Sequence, residues 1–135
     1  MDKKPPQPET DLLNAVLQAA LDLGLDAQFE QREPRRGAIR ADGIVRIGRG
    51  GKGQQYVAEV RRLLRPANLG ATLHQLDLQA AAYALPGLLV ADYINQDMAD
   101  ALRKQGRAFL DAAGNAYIEQ PQVLVWATGR KPVAK

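Results

Sequence analysis

Residues 39–62, IRADGIVRIGRGGKGQQYVAEVRR, decide the fold. Both flanks, IRADGIVRIG (39–48) and QQYVAEVRRLL (54–64), alternate apolar and polar side chains, which is the period of a strand with one buried face. The join between them, GRGGKG (48–53), is too rich in glycine for regular structure and predicts a flexible hairpin tip carrying Arg49 and Lys52. Upstream, LDAQFEQRE (25–33) shows the same alternation, separated from the second strand by the breaker EPRRG (33–37). Together these segments predict a three-strand meander that stops at Pro66.

On the amino-terminal side, Thr10 is expected to cap an amphipathic helix. Leu12, Leu13, Val16, Leu17, Ala20 and Leu21 recur at helical spacing until Gly24. On the other side, residues 68–85 carry Leu73, Leu76, Ala80 and Tyr83 at helical intervals and end at the Pro86-Gly87 breaker. GLLVADYI (87–94) is a continuous apolar run of strand length, the pattern of a strand covered on both faces. Asn95 is placed to cap a short helix containing Met98 and Leu102, with Arg103 and Lys104 in its last turn and Gly106 as its stop. Gly114-Asn115 between two short apolar segments signals a hairpin, and QVLVWATG (122–129) a last strand. The order helix, meander, helix, buried strand, helix, hairpin, final strand predicts an α/β fold with a mixed sheet flanked by helices. It is also the layout of the restriction-endonuclease-like core.

The 135 residues, 46% hydrophobic and 24% charged, suit one ordinary domain. Residues 1–9, with Pro5, Pro6 and Pro8 among charged and polar neighbours, read as a flexible lead, residues 10–130 as a single domain, and residues 131–135 as a polar tail. With no cysteine, the chain has no disulfide framework, thiolate zinc site, iron–sulfur cluster or cysteine nucleophile. It has no serine either, which removes serine-hydrolase chemistry, and its only histidine, His74, reads as a helix-surface or partly buried structural residue. No apolar stretch follows the charged start, and no run approaches the roughly 18 consecutive apolar residues of a membrane helix, so a cytoplasmic location without membrane association is expected.

Net charge is only +3, but it is unevenly spread. Between Glu30 and Arg65 stand ten basic residues, nine of them Arg, against four acidic ones, a local +6 on a body of −3. Arginine is the side chain best suited to forked phosphate contacts, so Arg35, Arg36, Arg49 and Lys52 are candidate contacts to a DNA backbone. Solvated arginines on exposed strands explain the same run equally well. Gly48, Gly50 and Gly53 formally match G-x-G-x-x-G, but strand-like QQYVAEV follows instead of a helix, so the match reads as a hairpin loop.

Glu59 and Arg61, two apart on one strand, share a face, and a neighbouring strand is placed to present Asp42 to the same spot. Two converging carboxylates are able to hold Mg²⁺ or Mn²⁺, which polarises a phosphodiester and activates water. The arrangement resembles the PD-(D/E)xK nuclease motif, with Arg61 where the motif has Lys. Arg holds phosphate but does not readily give up its proton. A cross-strand ion pair accounts for the same spacing, so a catalytic and a structural reading both remain.

The stretch LLVADYINQDMADALRKQGRAFLDAAGNAYIEQPQVLVWATGR (88–130) resembles the bacterial AbiEi-type antitoxin regulators of type IV toxin–antitoxin systems, with FLDAAGNAYIE (109–119) the most specific part. The resemblance implies a nuclease-like front domain of a transcriptional regulator, a role in DNA recognition or homo-oligomeric assembly, and a following winged helix-turn-helix, which this sequence does not contain. Within that stretch Asp111, Gly114 and Asn115 also suit plain turn chemistry. Three functions are thus in view: a regulatory DNA-associated domain on an inactive nuclease-like fold, a metal-dependent endonuclease using Asp42, Glu59 and Arg61, and a protein–protein assembly module.

Overall fold

The computed structural model describes residues 8–50 and 52–132, with side chains from Asp11 onward and without that of Lys52. Most of the expected lead and the end of the expected tail lie outside the described residues. Three helices, α1 (Pro8–Asp22), α2 (Pro66–Tyr83) and α3 (Gln96–Lys104), flank a seven-stranded sheet among these residues. Its strands are β1 (Asp26–Arg32), β4 (Gly43–Arg49), β5 (Lys52–Arg61), β6 (Gly87–Ala91), β7 (Ala108–Asp111), β8 (Ala116–Gln120) and β9 (Val123–Ala127), in that spatial order. A separate ribbon pairs β2 (Arg35–Arg36) with β3 (Ile39–Arg40). Strands β5, β6 and β7 run parallel and all other neighbours antiparallel. This is the mixed sheet with flanking helices expected from the sequence.

The parallel centre follows from the two helical crossovers, β5–α2–β6 and β6–α3–β7. Such strands are covered on both sides, so β6 is apolar throughout. Leu88 and Val90 join Leu13, Val16 and Ala20 of α1 in one core, while Leu89 and Ala91 join Leu76 of α2 and Met98 and Leu102 of α3 in the other. Odd-numbered residues of β5 face α2, and this parity directs Glu59 and Arg61 toward that helix.

Boundaries differ from expectation where proline and local polar bonds intervene. Helix α1 already contains Pro8, so Thr10 lies within it and is not its cap; proline is compatible with a first turn, whose amides have no intrahelical partner. Helix α2 likewise starts at Pro66 instead of residue 68, with Asn68 Oδ1 accepting the Arg65 amide at 2.8 Å. The strand in GLLVADYI ends at Ala91, because Asp92 turns away to accept the Leu64 amide at 3.2 Å. The largest correction concerns IRADGIVRIG, which is two strands. Ala41 and Asp42 stand between β3 and β4, and EPRRG supplies β2 of the ribbon instead of a featureless breaker.

Candidate functional site

The break between β3 and β4 creates the site. Strand β4 begins only at Gly43, opposite Ala58, whereas β5 runs on to Arg61, so the Val60 amide projects beyond the first residue of its neighbour. Asp42 fills that gap, its Oδ2 accepting from Val60 N–H at 2.7 Å while its own amide donates to the Ala58 carbonyl at 3.1 Å. This tether holds the carboxyl of Asp42 at the same cavity as that of Glu59. The expected convergence of Asp42, Glu59 and Arg61 is present, although Asp42 occupies a strand break instead of a strand.

Glu59 is 4% exposed, and its two oxygens have separate partners. Oε1 accepts from Gln79 Nε2 at 3.1 Å, and Oε2 forms an ion pair with Arg61 Nη2 at 2.5 Å. The Arg61 side chain is held from the other side by Thr72, whose Oγ1 accepts from Nε at 3.3 Å and donates to the Asn68 carbonyl at 2.8 Å. Burial pushes the Glu59 carboxyl up to about 7, and the adjacent Asp42 carboxylate adds to that rise; Gln79 and Arg61 act in the opposite sense. The group is thus a pair of neighbouring carboxyls held against one guanidinium.

Around it opens a cavity of about 540 Å³ lined by Arg40, Asp42, Glu59, Arg61, Thr72 and Gln79, among others. Gln79 was not apparent as a functional residue in the sequence. It is 1% exposed, and its Nε2 also reaches the Arg40 carbonyl at 3.3 Å, while one turn on, Tyr83 Oη donates to the Ile39 carbonyl at 3.3 Å. These two side chains dock the β2–β3 ribbon onto α2. The signal was a glutamine in line with Leu73, Leu76 and Tyr83 on the buried stripe of that helix, where an apolar residue is the default.

The candidate phosphate contacts do not form one patch. Arg35 and Arg36 are exposed on the ribbon beside the cavity, with the Arg36 guanidinium 5.7 Å from the Tyr83 ring centroid. Arg49 and Lys52 pair at the far end of the β4–β5 hairpin, which at about 3.3 Å per residue is about 20 Å from Asp42. Lys52 is located by its backbone only. Arg40, not singled out in the sequence, lines the cavity itself.

Asp111 and Asn115 form a second buried polar cluster with a structural task. Asp111 Oδ1 accepts from the amides of Ala113 and Asn115 at 2.9 and 2.8 Å, and Oδ2 from the Ile94 amide and Asn115 Nδ2 at 2.8 and 2.7 Å. Asn115 in turn exchanges two hydrogen bonds of 2.9 Å with the backbone of Arg130. The turn reading of FLDAAGNAYIE is the one the geometry bears out. His74 is exposed on α2, as expected.

A divalent metal ion is what the PD-(D/E)xK resemblance implies, and the donors present do not fit one. Both Glu59 oxygens and Asp42 Oδ2 are engaged by protein hydrogen-bond donors, and the charge opposite Glu59 is a guanidinium. Among the described residues no group of three or more His, Cys, Asp or Glu side chains is placed to hold a metal.

No family model matches the sequence. No curated protein matches it. Among solved structures, the chain is similar to the crystal structure of a repair endonuclease from Pyrococcus abyssi, at 18% identity and a TM-score of 0.48, over 82% of this chain and 48% of that one. The chain thus spans about half the length of that protein. Among the described residues no helix is long and apolar enough to cross a membrane.

Proposed function

We propose that this chain is a nucleic-acid-binding domain on a nuclease-like scaffold, which holds DNA without cutting it and serves as the DNA-associated part of an antitoxin-type regulator. The observation that carries this reading is the 2.5 Å ion pair between Arg61 and Glu59. It commits the carboxylate that a nuclease needs for its metal, and it does so with a cation that neither releases a proton at neutral pH nor activates water. Arg40 lines the same cavity, and Arg35 and Arg36 stand with it on a ribbon fastened to α2, a rigid mounting for phosphate contacts. The resemblance of residues 88–130 to AbiEi-type regulators supplies the regulatory context.

A second reading, a Mn²⁺- or Mg²⁺-dependent endonuclease, is favoured by one observation: the carboxyls of Asp42 and Glu59 line the same cavity. Incubating the protein with labelled duplex and single-stranded DNA in Mn²⁺ separates the two. The first reading expects shifted but intact DNA. Cleavage that disappears with chelator and in Glu59→Ala would replace it with the second.

A further inference from the structure

We infer that β9 is a docking edge for a second copy of this chain, whose own β9 pairs antiparallel to it across a two-fold axis and joins the two sheets into one. This edge takes no part in the DNA contacts proposed above, so the two stand or fall separately.

The two edges of the sheet are built differently. Strand β1, at one edge, is DAQFEQR, with three charged side chains and a register shift between Phe29 and Gln31. Charges and bulges keep an exposed edge from adding a further strand. Strand β9, at the other edge, is VLVWA, without a charge, a proline or a register shift, and among the described residues it pairs with β8 alone. Leu124 on this edge is 67% exposed. Beyond β9 the chain turns away, its Arg130 backbone bonded to Asn115, and leaves the edge open. An apolar strand with a free row of amides and carbonyls is a template for another strand.

Two features select a copy of the same chain as that strand. Pairing centred on Val125 keeps every side chain on its own face and sets Leu124 opposite Trp126 of the second copy. Both residues lie on the α3 face of the sheet, where Trp126 packs edge-on against Phe109 and Tyr117, so the exposed leucine gains an aromatic neighbour. The flanking charges are complementary. Glu119 is the register partner of Leu124, and its Oε2 accepts from Tyr117 Oη at 2.6 Å on that same face, while the Arg103 guanidinium lies 4.8 Å from the Trp126 ring centroid. Two strand spacings, about 10 Å, separate the backbones of Glu119 and the second copy's Trp126, a gap that a glutamate and an arginine span. The two-fold thus brings Glu119 of each copy toward Arg103 of the other, and both side chains are exposed in the single chain.

Sedimentation velocity at protein concentrations up to about 1 mM tests this on the wild type, Leu124→Lys, Gln28→Lys, Arg103→Glu and the double reversal Arg103→Glu/Glu119→Arg. The wild type is expected to dimerise, and Leu124→Lys to weaken the dimer by at least about tenfold. Gln28→Lys, a charge added at the β1 edge, is expected to leave it unchanged. Arg103→Glu is expected to weaken it and the double reversal to recover it. A monomer throughout, a dimer that Leu124→Lys leaves intact or Gln28→Lys dissolves, or one that the double reversal does not recover would overturn the inference. Should circular dichroism show Arg103→Glu unfolded, hydrogen exchange carries the test. Protection of β9 amides that grows with wild-type concentration and is lost in Leu124→Lys supports the interface, and protection independent of concentration overturns it. Absence of DNA binding by a protein that dimerises through β9 would sink the DNA reading and leave this interface standing.

Discussion

Glu59 makes stability depend on pH with a definite sign. Its carboxyl titrates near 4.5 when unperturbed and at about 7 in the fold, so between those values the folded state binds the additional proton. Stability from this group is fully present below about pH 4.5, declines as pH rises, and is lost above about pH 7. Glu59→Gln cannot titrate, so urea unfolding of this variant is expected to show a flatter profile from pH 5 to pH 8. The variant gains on the wild type by about 1–3 kcal/mol over that interval. Coincident pH profiles for the two proteins would contradict this origin. Asp111 gives the complementary case of a buried carboxylate that accepts four hydrogen bonds, and Asp111→Ala leaves those donors unmet. The expected loss is about 3 kcal/mol in denaturant unfolding, against a fraction of that for an exposed surface residue such as Asp100. At this scale the sequence made Glu59 and Arg61 legible as neighbours, because side-chain parity along a strand is fixed, whereas Asp42 meets them from a strand break that parity does not foretell. Gln79 and the reach of Asp111 to Ile94 were not legible, since they depend on which segments the fold brings against them.

Elements with a full period were readable, and those without one were not. Strands β4 and β5, helix α3 with its Asn95 cap accepting the Met98 amide at 2.9 Å, and the buried β6 all match their patterns. The β2–β3 ribbon left no periodic trace because its strands are two residues each, and it is held by Gln79 and Tyr83 from a distant helix instead of by its own apolar face. Replacing Tyr83 with Phe removes one of these ties, and a modest loss of about 1 kcal/mol is expected, together with faster amide exchange in the ribbon than in β4. The hairpin tip carries a stricter requirement than loop flexibility. A Cβ on Gly53 would collide with the backbone carbonyl of Ile47, so the glycine there permits the close approach of β4 and β5. Gly53→Ala is expected to destabilise by about 1–3 kcal/mol in thermal or urea unfolding, and a neutral effect would show that the hairpin relaxes freely.

For the molecule as a whole, the β2–β3 ribbon and the far end of the β4–β5 hairpin carry two separated groups of basic side chains. The ribbon group is Arg35, Arg36 and Arg40, of which Arg40 lines the Asp42–Glu59 cavity, while Arg49 stands at the opposite end of β4. The run of arginines between Arg32 and Arg65 shows the charge but not this division, which arises because β4 carries the chain from one end of the sheet to the other. Several of those arginines are also neutralised within the fold, Arg46 by Glu30 at 3.0 Å and Arg65 by Asp92 at 3.4 Å, so the local excess overstates the charge open to a partner. The central claim is that the ribbon face binds DNA through its backbone, and salt-dependent fluorescence anisotropy with labelled duplex DNA tests it most directly. Wild-type protein is expected to bind at low salt irrespective of sequence, with affinity falling linearly on a logarithmic salt scale; Arg35→Ala and Arg36→Ala should each weaken binding and lower the slope by about 1. No binding at low salt, or binding that both variants leave unchanged, would contradict the account.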